Sequence, residues 1–446
     1  MPESPMSEPS PEPSRRQILR TAGLGISGLA LASPLVAACK VGSGDSGGSS
    51  GSTTLKIGFV SPRTGPAAGF GEPDAYVLGL ARKAFAEGLT IGGKKYQVKI
   101  IDKDGQSNPQ RGSQVANDLI NAEGVDLMLT TSTPETVNPV SDACEAAGVP
   151  CISTVVPWEA WYFGRGAKPT QKQAFQYTFH FCFGVEQFHQ AYTSLWTQVK
   201  TDRKVGVMWP NDSDGNAIRH ALGPLLEKAG YDIVDPGAYT DGTNDYSSQI
   251  ARFKSENCEI FNTFPIPSDF ATFWRQAAQQ GYKPKIVQVA KTGLFPSQVE
   301  ALGSIGVGIA GGAYWTPTFP YSSSLTSVSS ADLADGYQKS SGKQWTQQLG
   351  ASLALFDAGA AALRAASDPK DKKAVAKAIA VLDVQTPVGR LQWGKGPNAN
   401  VVATPILGGQ WVRAAEGSPH PLDFVLCENA CDPNVPLAAR LRPYTS

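Results

Sequence analysis

Leu55-Lys56-Ile57-Gly58-Phe59-Val60, followed by the Pro- and Gly-rich stretch 61–73, is the segment on which the fold reading turns. A short apolar run that ends in turn formers reads as a buried strand. Beyond the loop, Ala75, Leu78, Ala81 and Phe85 recur at the spacing of one helix face. Gly92-Gly93 turns the chain, and 96–101 alternates as a strand. Helix 108–121, strand 125–129, helix 134–147 and strand 149–153 extend the series. A second series opens near Phe179 with helix 185–199, strand 204–209, helix 215–229 and strand 231–234. Helix 246–255, strand 259–264, helix 269–280 and strands 285–289 and 307–313 follow. Ala-rich helices at 349–366 and 370–381 precede alternating strands at 388–393 and 401–412. Strand–helix alternation predicts parallel sheets covered by helices. Two such series in succession predict an α/β protein of two lobes facing each other across a cleft.

Length and charge limit what such a chain can do. With 446 residues, two packed domains are the expectation. Lys+Arg and Asp+Glu are 39 each, and removing residues 1–38 takes three of each sign, so the remainder is still neutral. Nucleic-acid binding requires a surplus of cations, which this chain lacks. A hydrophobic content of 41% is enough for a sizeable core, while Gly 46 and Pro 33 point to many turns.

The N-terminus carries the most specific local signal. Ser14-Arg15-Arg16-Gln17-Ile18-Leu19-Arg20 precedes an uncharged stretch at 21–38, which ends Leu35-Val36-Ala37-Ala38-Cys39. The stretch is rich in Gly, Ala and Ser and closes on small residues, which fits an export signal better than a membrane span. It resembles a twin-arginine signal joined to a bacterial lipobox, with Cys39 as the lipidated residue. Residues 1–38 are then a signal peptide, and 39–54, mostly Gly, Ser and Thr, form a flexible linker. A lipid-anchored, extracytoplasmic body is expected.

Cysteine usage accords with export. Of seven Cys, Cys39 goes to the lipid and leaves Cys144, Cys151, Cys182, Cys258, Cys427 and Cys431. In an oxidising compartment an even number permits disulfides. Spacing favours Cys144–Cys151 and Cys427–Cys431, with Cys182–Cys258 left by elimination; six buried thiols are the alternative.

Catalytic motifs are sparse. Gly23-Leu24-Gly25-Ile26-Ser27-Gly28 lies in the leader, and Gly306-Val307-Gly308-Ile309-Ala310-Gly311 runs into a strand with no helix after it, so neither has a dinucleotide-binding context. The mature chain shows no Walker A loop, His-Glu-x-x-His or nucleophile elbow. The four His are scattered and no metal site is expected. No cofactor is expected either.

Binding chemistry is concentrated where strands end. Strand 125–129 runs into Thr130-Thr131-Ser132-Thr133-Pro134-Glu135-Thr136. Thr133 suits an N-cap and Pro134 the first helical position, so this helix start offers backbone N–H groups to a carboxylate or amide carbonyl. Glu135 opposes an anion there, and an ordinary helix cap is the plain alternative. After the next strand, Ser153-Thr154-Val155-Val156-Pro157-Trp158-Glu159-Ala160-Trp161-Tyr162-Phe163 brings four aromatics into one loop, as walls for a ligand or as a plug between lobes. Phe70, after the first strand, is a further candidate wall.

At this level of detail the chain resembles the branched-chain amino acid (leucine/isoleucine/valine) binding proteins, type I solute-binding proteins of ABC transporters. Three stretches carry the resemblance: 55–60 with Gly65-Pro66-Ala67-Ala68-Gly69-Phe70-Gly71-Glu72, Asn138-Pro139-Val140-Ser141-Asp142 with Ala147-Gly148-Val149-Pro150 and Ile152-Ser153, and Gly389-Arg390-Leu391-Gln392-Trp393. It extends over 55–412. The resemblance implies two doubly wound α/β lobes joined by a three-strand hinge that closes on a ligand. Lobe 1 would comprise 55–176 and 317–398, and lobe 2 would comprise 177–316 and 399–446. Carried over by position, the family's ligand contacts fall at Phe70, Ser132, Thr133, Pro134, Glu135, Val155, Pro157, Asp214, Ile266 and Thr292, with Trp158 added from the aromatic loop. The family places an acid for the ligand ammonium near Thr292. Lys291-Thr292-Gly293 has none, and Asp214 is the candidate replacement from another loop. That departure disfavours a plain α-amino acid and favours an aromatic acid or an amide. The implied partners are the small-molecule solute and the permease and ATPase subunits of an importer, with the receptor itself a monomer touching the membrane through its lipid. A ligand-sensing receptor of the same fold and a secreted amide hydrolase are the competing readings.

Overall fold

The structure, a computed structural model, describes residues 53–445. The export leader, Cys39 and almost all of the linker lie outside the described residues. The linker's expected end at 54 is one strand position too late, because Thr54 already opens the strand Thr54–Ser61.

Two seven-stranded sheets organise the chain. The first runs, edge to edge, Val401–Val402, Thr178–Phe181, Cys151–Thr154, Leu127–Thr131, Thr54–Ser61, Lys94–Asp104 and Leu89–Ile91. All its pairings are parallel except the last, which closes across the Gly92-Gly93 turn. The second runs Leu422–Glu428, Leu407–Arg413, Ala310–Ala313, Ile286–Val289, Ile260–Thr263, Lys204–Met208 and Asp232–Val234. Its last five strands are parallel and the first two antiparallel. The central strands Leu127–Thr131, Cys151–Thr154, Ile260–Thr263 and Ile286–Val289 are buried at every position. Helices cover both faces of a parallel sheet, so its strands are apolar without alternation. The Gln348–Ala365 helix, buried almost all round, packs on the first sheet, whereas Val185–Trp196 packs on the second.

The chain crosses between the lobes three times: after Thr178–Phe181, after Ala310–Ala313, and between Val401–Val402 and Leu407–Arg413. The first and third crossings are tied by Cys182 N–H donating to Val402 O (3.1 Å) and Thr404 N–H donating to Cys182 O (3.2 Å). This corrects two of the expected lobe limits. Thr178–Phe181 pairs with Cys151–Thr154, and Val401–Val402 pairs with His180 and Phe181, so both belong to the first sheet and not to lobe 2. The alternating run 401–412 is likewise two strands in different sheets.

Several elements had no counterpart in the sequence reading, among them the strands Leu89–Ile91 and Asp383–Thr386, the short helix Pro296–Glu300 and two larger ones. Ser330–Ser341 is a helix capped by the Ser329 side chain. Leu422–Glu428 is an edge strand of the second sheet, which gives the tail a structural role; beyond it, Ala438 and Ala439 N–H donate to Leu426 O. The aromatic loop 158–163 contains the short helix Trp158–Tyr162.

The expected disulfides are absent: Cys144, Cys151, Cys182, Cys258, Cys427 and Cys431 are free thiols. Cys182 lies at the hinge end of its strand, near Glu159 and Asp214, whereas Cys258 lies at the opposite end of the second sheet, near Asp202 and Lys204. Elimination by spacing could not register that separation. Cys144 and Cys151 share a buried cluster of the first lobe as thiols. Cys427 is buried in the edge strand, and Cys431 faces Gln187 and Gln190.

Candidate functional site

The strand ends of both sheets converge beside the three crossings, and the loops after them line a partly open chamber. Phe70, Thr133, Val155 and Pro157 come from loops of the first lobe, and Phe183 from the first crossing. The second lobe contributes Phe188 and Tyr192, one helical turn apart, then Asp214, Phe264, Ala290, Lys291 and Leu294. Gly312, Tyr314 and Ile406 complete it from the other crossings. The walls are apolar apart from Thr133, Asp214, Lys291 and the Tyr hydroxyls. A second cavity of about 790 Å³ adjoins it, sharing Phe70, Thr133 and Lys291, and forms a polar mouth with Ser107, Glu135, Asp212, Asp241 and Ile266. Phe70 meets Phe295 of the second lobe edge to face, with ring centroids 4.9 Å apart, so the lobes are closed on each other there.

The backbone of the first-lobe wall is strained. Ser132, Thr133 and Val155 have φ of 72°, 63° and 61°. Positive φ in a β-branched residue is a rare conformation, and it concentrates where structure serves a site. Thr133 is the N-cap, but its side chain makes no capping bond and its buried Oγ1 has no hydrogen-bond partner. Its carbonyl accepts from Thr136 and Val137 instead. The expected cap is thus present by position while its hydroxyl is left for the chamber.

Charge in the second-lobe wall is organised around Lys291, itself at φ 44°. Its Nζ lies 2.7 Å from Asp212 Oδ2 and 3.0 Å from Asp214 Oδ2. Asp212 also caps its helix, accepting from Gly215 N–H. Burial pushes the Asp214 carboxyl up from its ordinary range, and Lys291 only partly offsets this while Asp212 and Glu135 add to it. Burial would lower the Lys291 ammonium, but Asp214 and Asp212 outweigh it, and the net direction is up. Asp214 Oδ1 is buried without a hydrogen-bond partner, whereas the Tyr192 hydroxyl meets the Gln288 side chain. Among the described residues, no group of three or more His, Cys, Asp or Glu has the arrangement to hold a metal ion.

The sequence-derived candidates divide by location. Phe70, Thr133, Val155, Pro157 and Asp214 line the chamber, and Glu135 and Ile266 the mouth. Ser132 is buried beneath the wall, with its hydroxyl on Thr131, and Pro134 begins the helix without lining either cavity. Thr292 turns into the second lobe, donating to Pro265 O. Trp158 faces a groove outside the hinge with Arg390 and Lys395, packed over Gly184. The rest of that loop packs within the first lobe: Trp161 stacks on buried His180 at 4.9 Å and packs with Phe175. Sequence reasoning missed Phe183, Phe188, Tyr192, Phe264, Leu294, Tyr314 and Ile406. Phe264 and Tyr314 directly follow predicted strands, and strand carboxyl ends are where open α/β sheets bind ligands. Phe188 and Tyr192 carry no such mark, since their helical spacing is that of ordinary core.

The sequence model of the periplasmic binding protein family matches residues 54–416. The chain belongs to this family. The Leu/Ile/Val-binding protein homolog 7 of Brucella suis biovar 1 (strain 1330) is 25% identical over 384 residues, covering 82% of this chain and 91% of that relative. A leucine binding protein from Thermotoga maritima MSB8 aligns with a TM-score of 0.69 at 16% identity, covering 85% of this chain and 99% of that one. The solute binding protein of an ABC transporter from Rhodopseudomonas palustris BisB5, solved with 3,4-dihydroxy benzoic acid, aligns with a TM-score of 0.63 at 16% identity, covering 86% and 99%. The fold of this periplasmic binding protein is accordingly the type I fold, with two parallel-dominated sheets, as the resemblance implied. The family match ends at residue 416, before the edge strand Leu422–Glu428.

Proposed function

We propose that the chain is the extracytoplasmic solute-binding lipoprotein of an ABC importer, anchored through Cys39 and passing its ligand to a membrane permease. Its ligand is a small organic solute with an apolar or aromatic body, within the range spanned by amino acid-like compounds, aromatic acids and amides. The observation that carries the reading is the apolar chamber beside the three crossings, built from both lobes. Such a chamber can be filled and emptied by hinge motion without chemistry. The relatives named above, a Leu/Ile/Val-binding protein homolog and a leucine binding protein, support an apolar solute, and the aromatic lining here extends the range to rings.

A thermal-shift screen against amino acids, aromatic acids, short amides, amines and polyols tests this. A ligand at about 100 times its Kd stabilises by about 2.7 kcal/mol. Stabilisation by one chemical class, without turnover of that compound, is the expected result. Turnover abolished by Asp214→Asn would instead make the protein a hydrolase.

A further inference from the structure

We propose that the chamber selects solutes that carry an amine and no carboxylate: an apolar or aromatic monoamine whose nitrogen docks on Asp214. This rests on the receptor reading and specifies the head group.

Three observations point the same way. First, among the described residues Lys291 is the one cationic side chain lining the two cavities, and it is already held by Asp212 at 2.7 Å and Asp214 at 3.0 Å. A ligand carboxylate would have to displace a carboxylate that is fixed in place. Second, the helix start that would otherwise receive an anion is compromised. Pro134 has no N–H, the Thr136 and Val137 N–H groups donate to Thr133 O, and Glu135 adds a negative charge in the first turn. With Asp212, Asp214 and Asp241, Glu135 makes four carboxylates against one ammonium around chamber and mouth, so an entering anion is repelled.

Third, the chamber wall carries unmatched buried acceptors. Asp214 Oδ1 and Thr133 Oγ1 belong to chamber residues at least nine-tenths buried, and neither has a hydrogen-bond partner. Buried polar atoms are nearly always satisfied, so atoms of this kind on residues of a cavity wall point to a ligand that completes them. An ammonium brings three donors and no acceptor, which suits a carboxylate oxygen and a hydroxyl. Its charge also offsets the excess of acids, and the apolar walls take its body.

The experiment is isothermal titration of the purified full chain with two matched series. One is 2-phenylethylamine, phenylacetamide, phenylalanine and 3-phenylpropionate; the other is isopentylamine, leucine and isovalerate. The expected result is that one amine binds at least tenfold tighter than every carboxylate-bearing member of its series. Asp214→Asn should narrow the amine-to-amide preference at least tenfold. Thr133→Val, which keeps the β-branched shape, should weaken the amine at least threefold, and it provides a test should the Asp214 variant misfold. An amino acid or acid that binds as tightly as its amine overturns the inference while leaving the receptor reading intact. If neither series binds, the inference also falls, and stabilisation by any other class in the thermal-shift screen keeps the receptor reading. No stabilisation by any class removes that reading too.

Discussion

The two lobes build their halves of the cleft by different means. On the first lobe, strand ends carry residues in the left-handed region, and the wall is a neutral surface of Phe70, Thr133, Val155 and Pro157. On the second, an ion-paired cluster of Asp212, Asp214 and Lys291 stands beside Phe188, Tyr192 and Phe264. The contrast extends into the cores. Asp74 of the first lobe is fully buried on Ser61 and Ser352 without a cation in contact, and burial pushes its carboxyl up to about 7. Asp357 is held in the same way by Ser323 and Leu325 N–H, and it too is pushed up to about 7. Asp74 and Asp357 are thus held by hydroxyls and a backbone N–H, whereas Asp212 and Asp214 at the second wall are held against a lysine. One wall is shaped by backbone geometry and the other by paired charge.

The largest test of that contrast is Lys291→Met. It leaves two carboxylates facing each other in a partly enclosed site and is expected to lower unfolding stability by about 3 kcal/mol, as for other broken buried pairs. Urea denaturation measures it, and a loss under about 1 kcal/mol would show that the second wall does not depend on paired charge. Phe70→Ala tests the neutral wall. It should weaken the tightest-binding solute of the screen about 30-fold, the equivalent of roughly 2 kcal/mol of ring burial, by titration calorimetry. Unchanged affinity would remove Phe70 from the site.

A smaller effect separates the cores by pH. Asp74 has a folded pKa of about 7 against 3.8 for the free side chain, so its ionisation opposes folding. That penalty is absent below about pH 3.8, grows as pH rises toward 7, and is complete above it. Lowering the pH from 7 to 6 should therefore recover about 1 kcal/mol through this residue, a gain that Asp74→Asn abolishes. An Asp74→Asn variant with the same pH dependence as wild type would show that the acid is already ionised and compensated. The smallest effect is expected from Trp158→Ala. Its ring lies over Gly184 outside the chamber, so ligand affinity should stay within about twofold of wild type, whereas a loss on the scale of Phe70→Ala would return the aromatic loop to the cleft.

Much of this was legible in the chain itself, and the failures have a common origin. The helix Pro134–Ala147 was readable to the residue, since Pro opens it and Gly148 closes it at positive φ. Phe70 and Thr133 were named because they follow strands, and Val155 and Asp214 because the family resemblance places ligand contacts there. Trp158 was misplaced because a position in a loop says nothing about which side of the hinge the ring takes. Thr178–Phe181 and Val401–Val402 were assigned to the wrong lobe because a crossing leaves no periodic mark in the sequence. Cys182 and Cys258 were paired by elimination although Cys182 follows a strand of the first sheet at the hinge and Cys258 lies beside Asp202 and Lys204 at the far end of the second sheet.

Sequence alone determined the two α/β series, the neutral charge balance and the loops most apt to bind, because periodicity, capping and composition are local properties. Only the tertiary structure decided that Lys291 is held by Asp212 and Asp214, that Phe188 and Tyr192 face a chamber, and that Thr133 and Asp214 keep polar atoms without partners. Those facts depend on residues as far apart as 79 positions, Asp212 and Lys291, meeting in a low-dielectric space. The folding of two sheets against one hinge creates that space, and no window of sequence contains it.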